Sequence, residues 1–290
     1  ETVTAYELKP EGTGYRTKTR FAKFYNLPEL MAMFKQVADI KTADTLNLPT
    51  PTPHYHNVAV KPSEMQKTMV ADLAERAEKV RGGNVDPSVD NMLKITNDGR
   101  KLALDQRMIN PMLPDNEGSK INACVDNIFT IWQDNTDKKS AQLVFCDLST
   151  PKPDAEFSVY TDIRQKLIER GVPESEIRFI HEAKTEVQKQ ELFKKVRKGE
   201  VRVLLGSTQK MGAGTNVQNK LIALHDIDCP WRPSDLEQRS GRIIRQGNEN
   251  PDVEIYRYVT EETFDAYLYQ LVEGKQKFAA QIMTSKSPVR

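Results

Sequence analysis

Two arginines close the run Asp235-Leu236-Glu237-Gln238-Arg239-Ser240-Gly241-Arg242-Ile243-Ile244-Arg245-Gln246-Gly247. Arg242 and Arg245 lie three apart, a spacing that puts both guanidiniums on one face if the run is helical. Each guanidinium is planar, permanently charged and rich in N–H donors. Side by side they suit a transferring phosphoryl group, whose charge spreads over its equatorial oxygens. The competing reading is a basic surface helix whose arginines face water.

A second segment with chemical content is Leu205-Gly206-Ser207-Thr208-Gln209-Lys210-Met211-Gly212-Ala213-Gly214-Thr215-Asn216-Val217-Gln218. It follows an apolar run, and its glycines permit positive φ and close approach of the backbone to an anion. No Gly-Lys-Ser/Thr closes it, so it is not a Walker A loop. Without a ligand it is a tight strand-to-helix turn. Asp226 to Trp231, leading into Pro233-Ser234-Asp235, is a short loop with an aromatic and two prolines. Lys194-Lys195-Val196-Arg197-Lys198 reads as a solvated helix end that favours cations.

Elements must hold these segments, and the sequence outlines them. Helical spacing runs over 26–40, and Ser63 with Gln66 starts a helix to Arg81. Residues 56–61, which follow the histidines of His54-Tyr55-His56, alternate like a strand; residues 84–115 read as short helices and loops. From Ser119, helices at about 120–133, 157–170 and 185–199 alternate with strands at 141–146, 177–180, 201–205 and 221–224. A helix opening at Pro233, with Ser234 and Glu237 as a capping box, a strand at 253–258 and a long helix from Glu262 complete the chain. The central strands are apolar on both faces. The expected fold is therefore α/β, an open, mostly parallel sheet with helices on both faces, preceded by a largely helical N-terminal segment. Ligands gather at the carboxyl ends of such strands, where the segments after Leu205 and Leu224 lie. Pro111, Pro114 and Gly118 place a boundary near 110–118, dividing the chain into 1–116 and 117–290.

Composition narrows the classes. The 290 residues are 29% charged and balance to +1, so net charge does not announce a nucleic-acid binder, although a local basic face would not show in it. Three scattered cysteines, Cys124, Cys146 and Cys229, give neither a zinc pattern nor a disulfide framework, and a cytoplasmic setting is expected. No stretch is apolar enough to cross a bilayer. The four histidines (His54, His56, His181, His225) accompany no nucleophile pattern; His54 and His56 make an edge pair for a metal or chance histidines beside a proline-rich loop. The chain starts without methionine, and a longer parent protein is expected.

The order of these pieces resembles the second motor lobe of superfamily 2 helicases: strand, Ser-Thr-x-x-x-Gly-x-Gly-x-Asn, strand, Trp-x-Pro-x-x-x-x-Gln, Arg-x-x-Arg-x-Gly. It is most similar to the Swi/Snf-type branch of DNA translocases. Thr208, Gly212, Gly214, Asn216, Gln238, Arg242, Arg245 and Gly247 fall on the family's motif V and motif VI positions, 143–150 resembles motif IV, and Ser119-Lys120 resembles the start of the lobe's first helix. The likeness spans roughly 117–275 and implies a RecA-like lobe. More weakly, His56 to Leu73 resembles the last strand and exit helix of a first motor lobe. Leu27 to Met31 and the Pro233 to Arg239 run look like the helicase part of long proteins from conjugative elements and phages, which often carry a methyltransferase-like module too.

The resemblance implies arginine fingers at Arg242 and Arg245, ATP contacts from Gln238, Gly212, Gly214 and Asn216, and nucleic-acid backbone contacts from Ser149, Thr150, Ser207, Thr208 and Lys210. It implies ATP with Mg²⁺ in the intact protein, the Mg²⁺ ligands lying on a first lobe. The implied partners are that lobe and DNA, duplex and read without sequence preference, with the protein a monomer and no membrane involved. Walker A and Asp-Glu-x-His segments do not occur in these residues. The implied ATPase site is therefore composite, and the chain by itself is expected to be inactive. Lys210 and Met211 replace the small residues usual in this motif V, which puts the nucleic-acid contacts there in doubt. The rival reading is a non-catalytic nucleic-acid-binding or protein-docking module derived from such a lobe.

Overall fold

The computed structural model describes residues 1–10, 12, 14–38, 48–211 and 214–284. Gly212 of the glycine segment, and Ile40 at the end of the first expected helix, lie outside the described residues.

Six parallel strands form the main sheet, in the order β3-β8-β7-β4-β6-β5. They are β3 (Thr52–Val60), β4 (Ala141–Phe145), β5 (Ile177–Phe179), β6 (Val203–Gly206), β7 (Leu221–Asp226) and β8 (Asp252–Thr260). A separate antiparallel hairpin, β1 (Thr2–Leu8) and β2 (Tyr15–Phe21), precedes them. The helices are α1 (Leu27–Val37), α2 (Glu64–Arg81), α3 (Met92–Leu104), α4 (Lys120–Asp134), α5 (Val159–Glu169), α6 (Glu186–Lys198), a single turn α7 (Thr208–Met211), α8 (Pro233–Ser240) and α9 (Phe264–Thr284).

The sheet is buried on both faces because its strands alternate two apolar sets. On β4, Val144 and Cys146 pack with Val125 and Ile128 of α4 and Tyr160 and Ile163 of α5. Leu143 and Phe145 point the other way, to Phe193 and Val196 of α6. This period of two is the geometry of a strand, and helices on either side follow from it, as the composition of the strands implies. A third cluster joins Ala103 of α3, Leu236 of α8 and Leu268 and Val272 of α9.

Local signals worked where the side chain completes the backbone. Ser63 and Gln66 make a capping box on α2, and Thr185 and Gln188 make one on α6. The box expected at Ser234 and Glu237 is not formed. Pro233 is the first helical residue of α8 and Arg232 the cap, without a side-chain bond. Proline fits the first turn, whose N–H groups lack intrahelical partners.

Two features of the N-terminal third differ from the sequence reading. Thr2–Leu8 and Tyr15–Phe21 pair as a hairpin, where the expected N-terminal segment is largely helical. Glu7, Arg16, Lys18 and Arg20 share one face and threonines and tyrosines most of the other, so neither face is an apolar stripe. The strand that resembles a first-lobe element, β3, lies at the edge of the main sheet, in register with β8 from Thr52↔Asp252 to Val60↔Thr260. The sheet thus takes one strand from before residue 116 and five from after it. His54 joins His56 on this strand, and the two rings hydrogen-bond to Asp252 and Glu254 respectively. Among the described residues no group of three or more metal-ligating side chains is formed. No described helix is long and apolar enough to cross a membrane.

Buried polar groups tie the sheet to its helices. Lys120, at the start of α4, pairs with Asp265 of α9 in the interior. His225 on β7 is fully buried between Gln142 and Tyr258, at 2.9 Å from each. The Gln142 amide donates to Ile128 O, so its oxygen faces Nε2. The ring is thus the neutral Nε2–H tautomer, with Nδ1 accepting from the Tyr258 hydroxyl. Burial pushes the His225 pKa down from 6.5 to about 3. The unfolded chain binds this proton more readily, so stability is full above 6.5 and falls as pH drops. The expected loss is about 1.4 kcal/mol per pH unit until the folded pKa is reached. Urea unfolding at neutral pH and near pH 5 checks this: the wild-type protein carries this slope, and His225→Asn loses it.

Candidate functional site

The strands β4, β6 and β7 are adjacent, with β4 in the middle. The chain crosses from β6 on one side of β4 to β7 on the other, which opens a crevice at their carboxyl ends. Three aspartates stand there: Asp147 after β4, Asp226 ending β7 and Asp228 just beyond it. Their partner is Arg239 of α8, a residue the sequence reading passed over.

Arg239 is 1% exposed, and each of its five N–H groups has an acceptor. Nε donates to the Thr208 hydroxyl at 2.8 Å. Nη1 donates to Asp226 at 3.0 Å and to the Asp228 carbonyl at 2.9 Å. Nη2 donates to Asp147 at 2.8 Å and to the Asp228 carboxylate at 3.1 Å. The Thr208 hydroxyl donates to Asp147 Oδ2 at 2.8 Å, and the Thr208 N–H donates to Asp147 Oδ1 at 2.6 Å. Asp228 also accepts the N–H groups of Asp147 and Leu148. Burial works against the charge on Arg239, but the carboxylates of Asp226, Asp228 and Asp147 outweigh it and hold the pKa well above the arginine range. Burial raises the Asp226 carboxyl, against the pull of Arg239. One cation thereby fixes the ends of three strands and the start of α7 to α8.

Above this knot is an open cleft of about 630 Å³, lined by Asp147, Thr150, Ser207, Thr208, Arg232 and Gln238 among others. Thr150, Ser207, Thr208 and Gln238 thus line one cleft. Ser149 does not join them. It is buried, and its hydroxyl accepts the Val159 N–H at 2.9 Å, capping α5 from a distance. Lys210 is exposed at the end of α7.

The paired arginines form a second group with the glycine segment. The α8 helix stops at Ser240, so Arg242 and Arg245 do not share a helix face as their spacing suggested. Turns do the same job: the Arg242 N–H returns to Arg239 O, and the Arg245 N–H to Ile243 O. Both guanidiniums converge on one acceptor, the Thr215 carbonyl, at 3.5 Å from Arg242 and 3.1 Å from Arg245. Arg242 is half-buried; burial, with Arg245 beside it, lowers its pKa. Arg245 is exposed. Gly214, at φ +68°, precedes Thr215 in a conformation that side chains resist. Asn216 is exposed and its carbonyl accepts from Arg197 of the basic run on α6. Gly247, at φ +83°, ends the arginine segment. The site thus has two parts: a polar cleft floored by the buried arginine, and a pair of cationic forks held at the glycine loop.

Missing Arg239 has a simple cause. Its neighbours in sequence are polar, and nothing local distinguishes a buried arginine from a solvated one. The available signal was a set of carboxylates, Asp147, Asp226 and Asp228, just past apolar strands, where an unpaired charge would be costly.

The comparisons with known proteins agree with this geometry. The helicase conserved C-terminal domain matches residues 119–247, which contain the knot, the cleft and both arginines. The chain is 38% identical over 89 residues to an uncharacterized ATP-dependent helicase, YqhH, of Bacillus subtilis (strain 168). That match covers 30% of this chain and 15% of the relative, so the chain spans a small part of the relative's length. Among solved structures, the C-terminal part of the Fun30 ATPase domain superposes with a TM-score of 0.55. The identity is 16%, over 77% of this chain and 90% of that one, and the likeness is one of fold. Residues 119–247 thus carry a helicase conserved C-terminal domain, set in a RecA-like parallel sheet.

Proposed function

We propose that this chain is the C-terminal motor part of an ATP-dependent DNA translocase or helicase of the Swi/Snf-like branch, and that Arg242 and Arg245 are its arginine fingers. The observation that carries the reading is the convergence of both guanidiniums on the Thr215 carbonyl. A carbonyl oxygen is the same kind of acceptor as a phosphoryl oxygen, only weaker. Donors already aimed at one point need little reorganisation when negative charge develops there.

In this reading a first motor lobe grips the nucleotide, and closure of the two lobes brings Arg242 and Arg245 to the γ-phosphate. Gln238, on the exposed side of α8, contacts the nucleotide or bridges the lobes. Gly214 and Asn216 link the arginines to the track. Thr150, Ser207, Thr208 and Lys210 hold backbone phosphates of DNA, contacts that position a strand without reading its sequence. Ser149 supports them by fixing the start of α5. Mg²⁺, when bound in the intact protein, would neutralise phosphate charge. Asp147, Asp226 and Asp228 do not suit it, because they are committed to Arg239 and to backbone N–H groups, and Asp235 alone makes no ligand set. Its ligands therefore belong to the other lobe.

The test is ATP hydrolysis by the intact protein with and without DNA. Turnover that rises on adding duplex DNA of arbitrary sequence is the expected result. Salt-dependent DNA binding with no hydrolysis under any condition would instead establish a non-catalytic binding module.

A further inference from the structure

The hairpin of residues 2–21 takes no part in the site above, yet it is built onto the lobe along much of α9. Leu8 N donates to Gln270 Oε1 at 2.8 Å, and Gln281 Nε2 donates to Ala22 O at 2.6 Å. Phe24 stacks on Phe278 with centroids 4.4 Å apart. At the tip, Gly12 lies so close to α9's start that a Cβ would meet the Thr263 carbonyl at 2.2 Å. The hairpin and helix are therefore two fixed walls. Between them runs a groove of about 610 Å³.

The charge in this groove is one-sided. Lys18 and Arg20 line the hairpin wall, and Lys275 and Lys277 line the helix wall. The single carboxylate is Glu7, and both its oxygens are taken by Arg16 and Arg20. Glu7 offsets one of these four cations at most, which leaves a local positive surplus in a chain whose net charge is only +1. The cleft near Gln238 has no such surplus, since Arg232 is offset by Asp235 and Asp147 is paired with Arg239. Phe21, 74% exposed, stands at the groove's end beside Phe278. At Gly274 nothing lies within 4 Å of where a Cβ would be, so that part of the helix wall is open.

We infer that the groove between the β1–β2 hairpin and α9 binds one strand of nucleic acid, the lysines and Arg20 holding its phosphates and Phe21 stacking on a base. A cationic channel with an aromatic in its wall is the arrangement that single strands select. Phosphate contacts there supply affinity, and stacking accepts any base. The walls are fixed before binding, so the strand alone is ordered. This inference rests on the nucleic-acid reading above and adds a site outside the conserved motif segments, one for a separated strand rather than an intact duplex.

The experiment measures binding of fluorescein-labelled oligo-dT, and of a labelled duplex of equal length, to the intact protein by anisotropy across a salt series. The variant is Lys18→Glu with Lys277→Glu, both exposed side chains remote from the motif residues. Single-strand affinity is expected to fall roughly tenfold or more. The slope of log K against log salt should shrink by about 1.4, since two phosphates of the strand are no longer neutralised. Lys18→Gln with Lys277→Gln should fall between the variant and the wild type, which a folding defect would not produce. Hydrolysis without nucleic acid should be unchanged. Equal single-strand affinity and slope in variant and wild type would overturn the groove alone, as would a loss confined to the duplex. A wild-type protein that binds neither oligonucleotide would overturn the nucleic-acid reading itself, and the groove with it.

Discussion

Arg245→Ala in the intact protein is expected to lower ATP turnover by about 10³-fold or more, the range seen when an arginine finger is lost. Folding should be untouched. Arg245 is exposed, and the Thr215 carbonyl it reaches at 3.1 Å keeps Arg242 as a second donor. Removing it strands no buried charge, so the stability change should stay within about 0.5 kcal/mol. Arg245→Lys keeps the charge but loses the planar fork, and it should recover only part of the rate. Arg242→Ala should lower turnover comparably and also cost some stability, because Arg242 is half-buried against the glycine loop. Steady-state turnover and a thermal melt on the same preparations decide the matter. Turnover by Arg245→Ala equal to that of the wild type would remove the finger assignment and leave the fold unaffected.

Arg239→Met should have the opposite profile, a loss of the folded state itself. The substitution leaves Asp226 and Asp228 in the interior, and Asp147 partly so, with no cation among them. Breaking a buried pair by removing one partner costs about 3–5 kcal/mol. Here three carboxylates lose the same partner, and the total stability of a domain is only about 5–15 kcal/mol. The expected result is a melting temperature lowered by many degrees or an insoluble protein. Arg239→Lys should rescue little, because one ammonium with three donors cannot reach acceptors on Thr208, Asp147, Asp226 and Asp228 together. Combining Arg239→Met with Asp226→Asn removes one stranded charge and should regain part of the stability. An Arg239→Met protein that melts like the wild type would show that the knot is not what joins α8 to the sheet.

The two variants separate positions that look alike in sequence. Arg239, Arg242 and Arg245 occupy one seven-residue run, and each has polar or small residues close by. The run's resemblance to a helicase motif singled out the second and third. It gave no reason to treat the first as different. The difference is made by Asp147, Asp226 and Asp228, which lie up to 92 positions away along the chain and meet Arg239 only because β4 and β7 are neighbours.

Much of the lobe was legible from residue order because its signals are local or periodic. Strands β4, β6 and β7 are apolar on both faces, which is possible only in a sheet covered on both sides. The capping boxes at Ser63 and Thr185 are complete within four residues. The glycine at 214 and the arginines at 242 and 245 could be placed at strand ends because ligands of such sheets gather there. Tertiary structure decided the rest. It ended α8 before Arg242, yet still brought both guanidiniums to the Thr215 carbonyl through turns. It set β3 on the sheet edge through nine residues of pairing with β8, about 200 positions distant. It folded the N-terminal segment into a hairpin and laid it on α9. The reason is common to all three. Periodicity and capping report what a residue does with its near neighbours in the chain, whereas a buried charge, an edge strand and a polar hairpin are fixed by partners that only the folded sheet brings within reach.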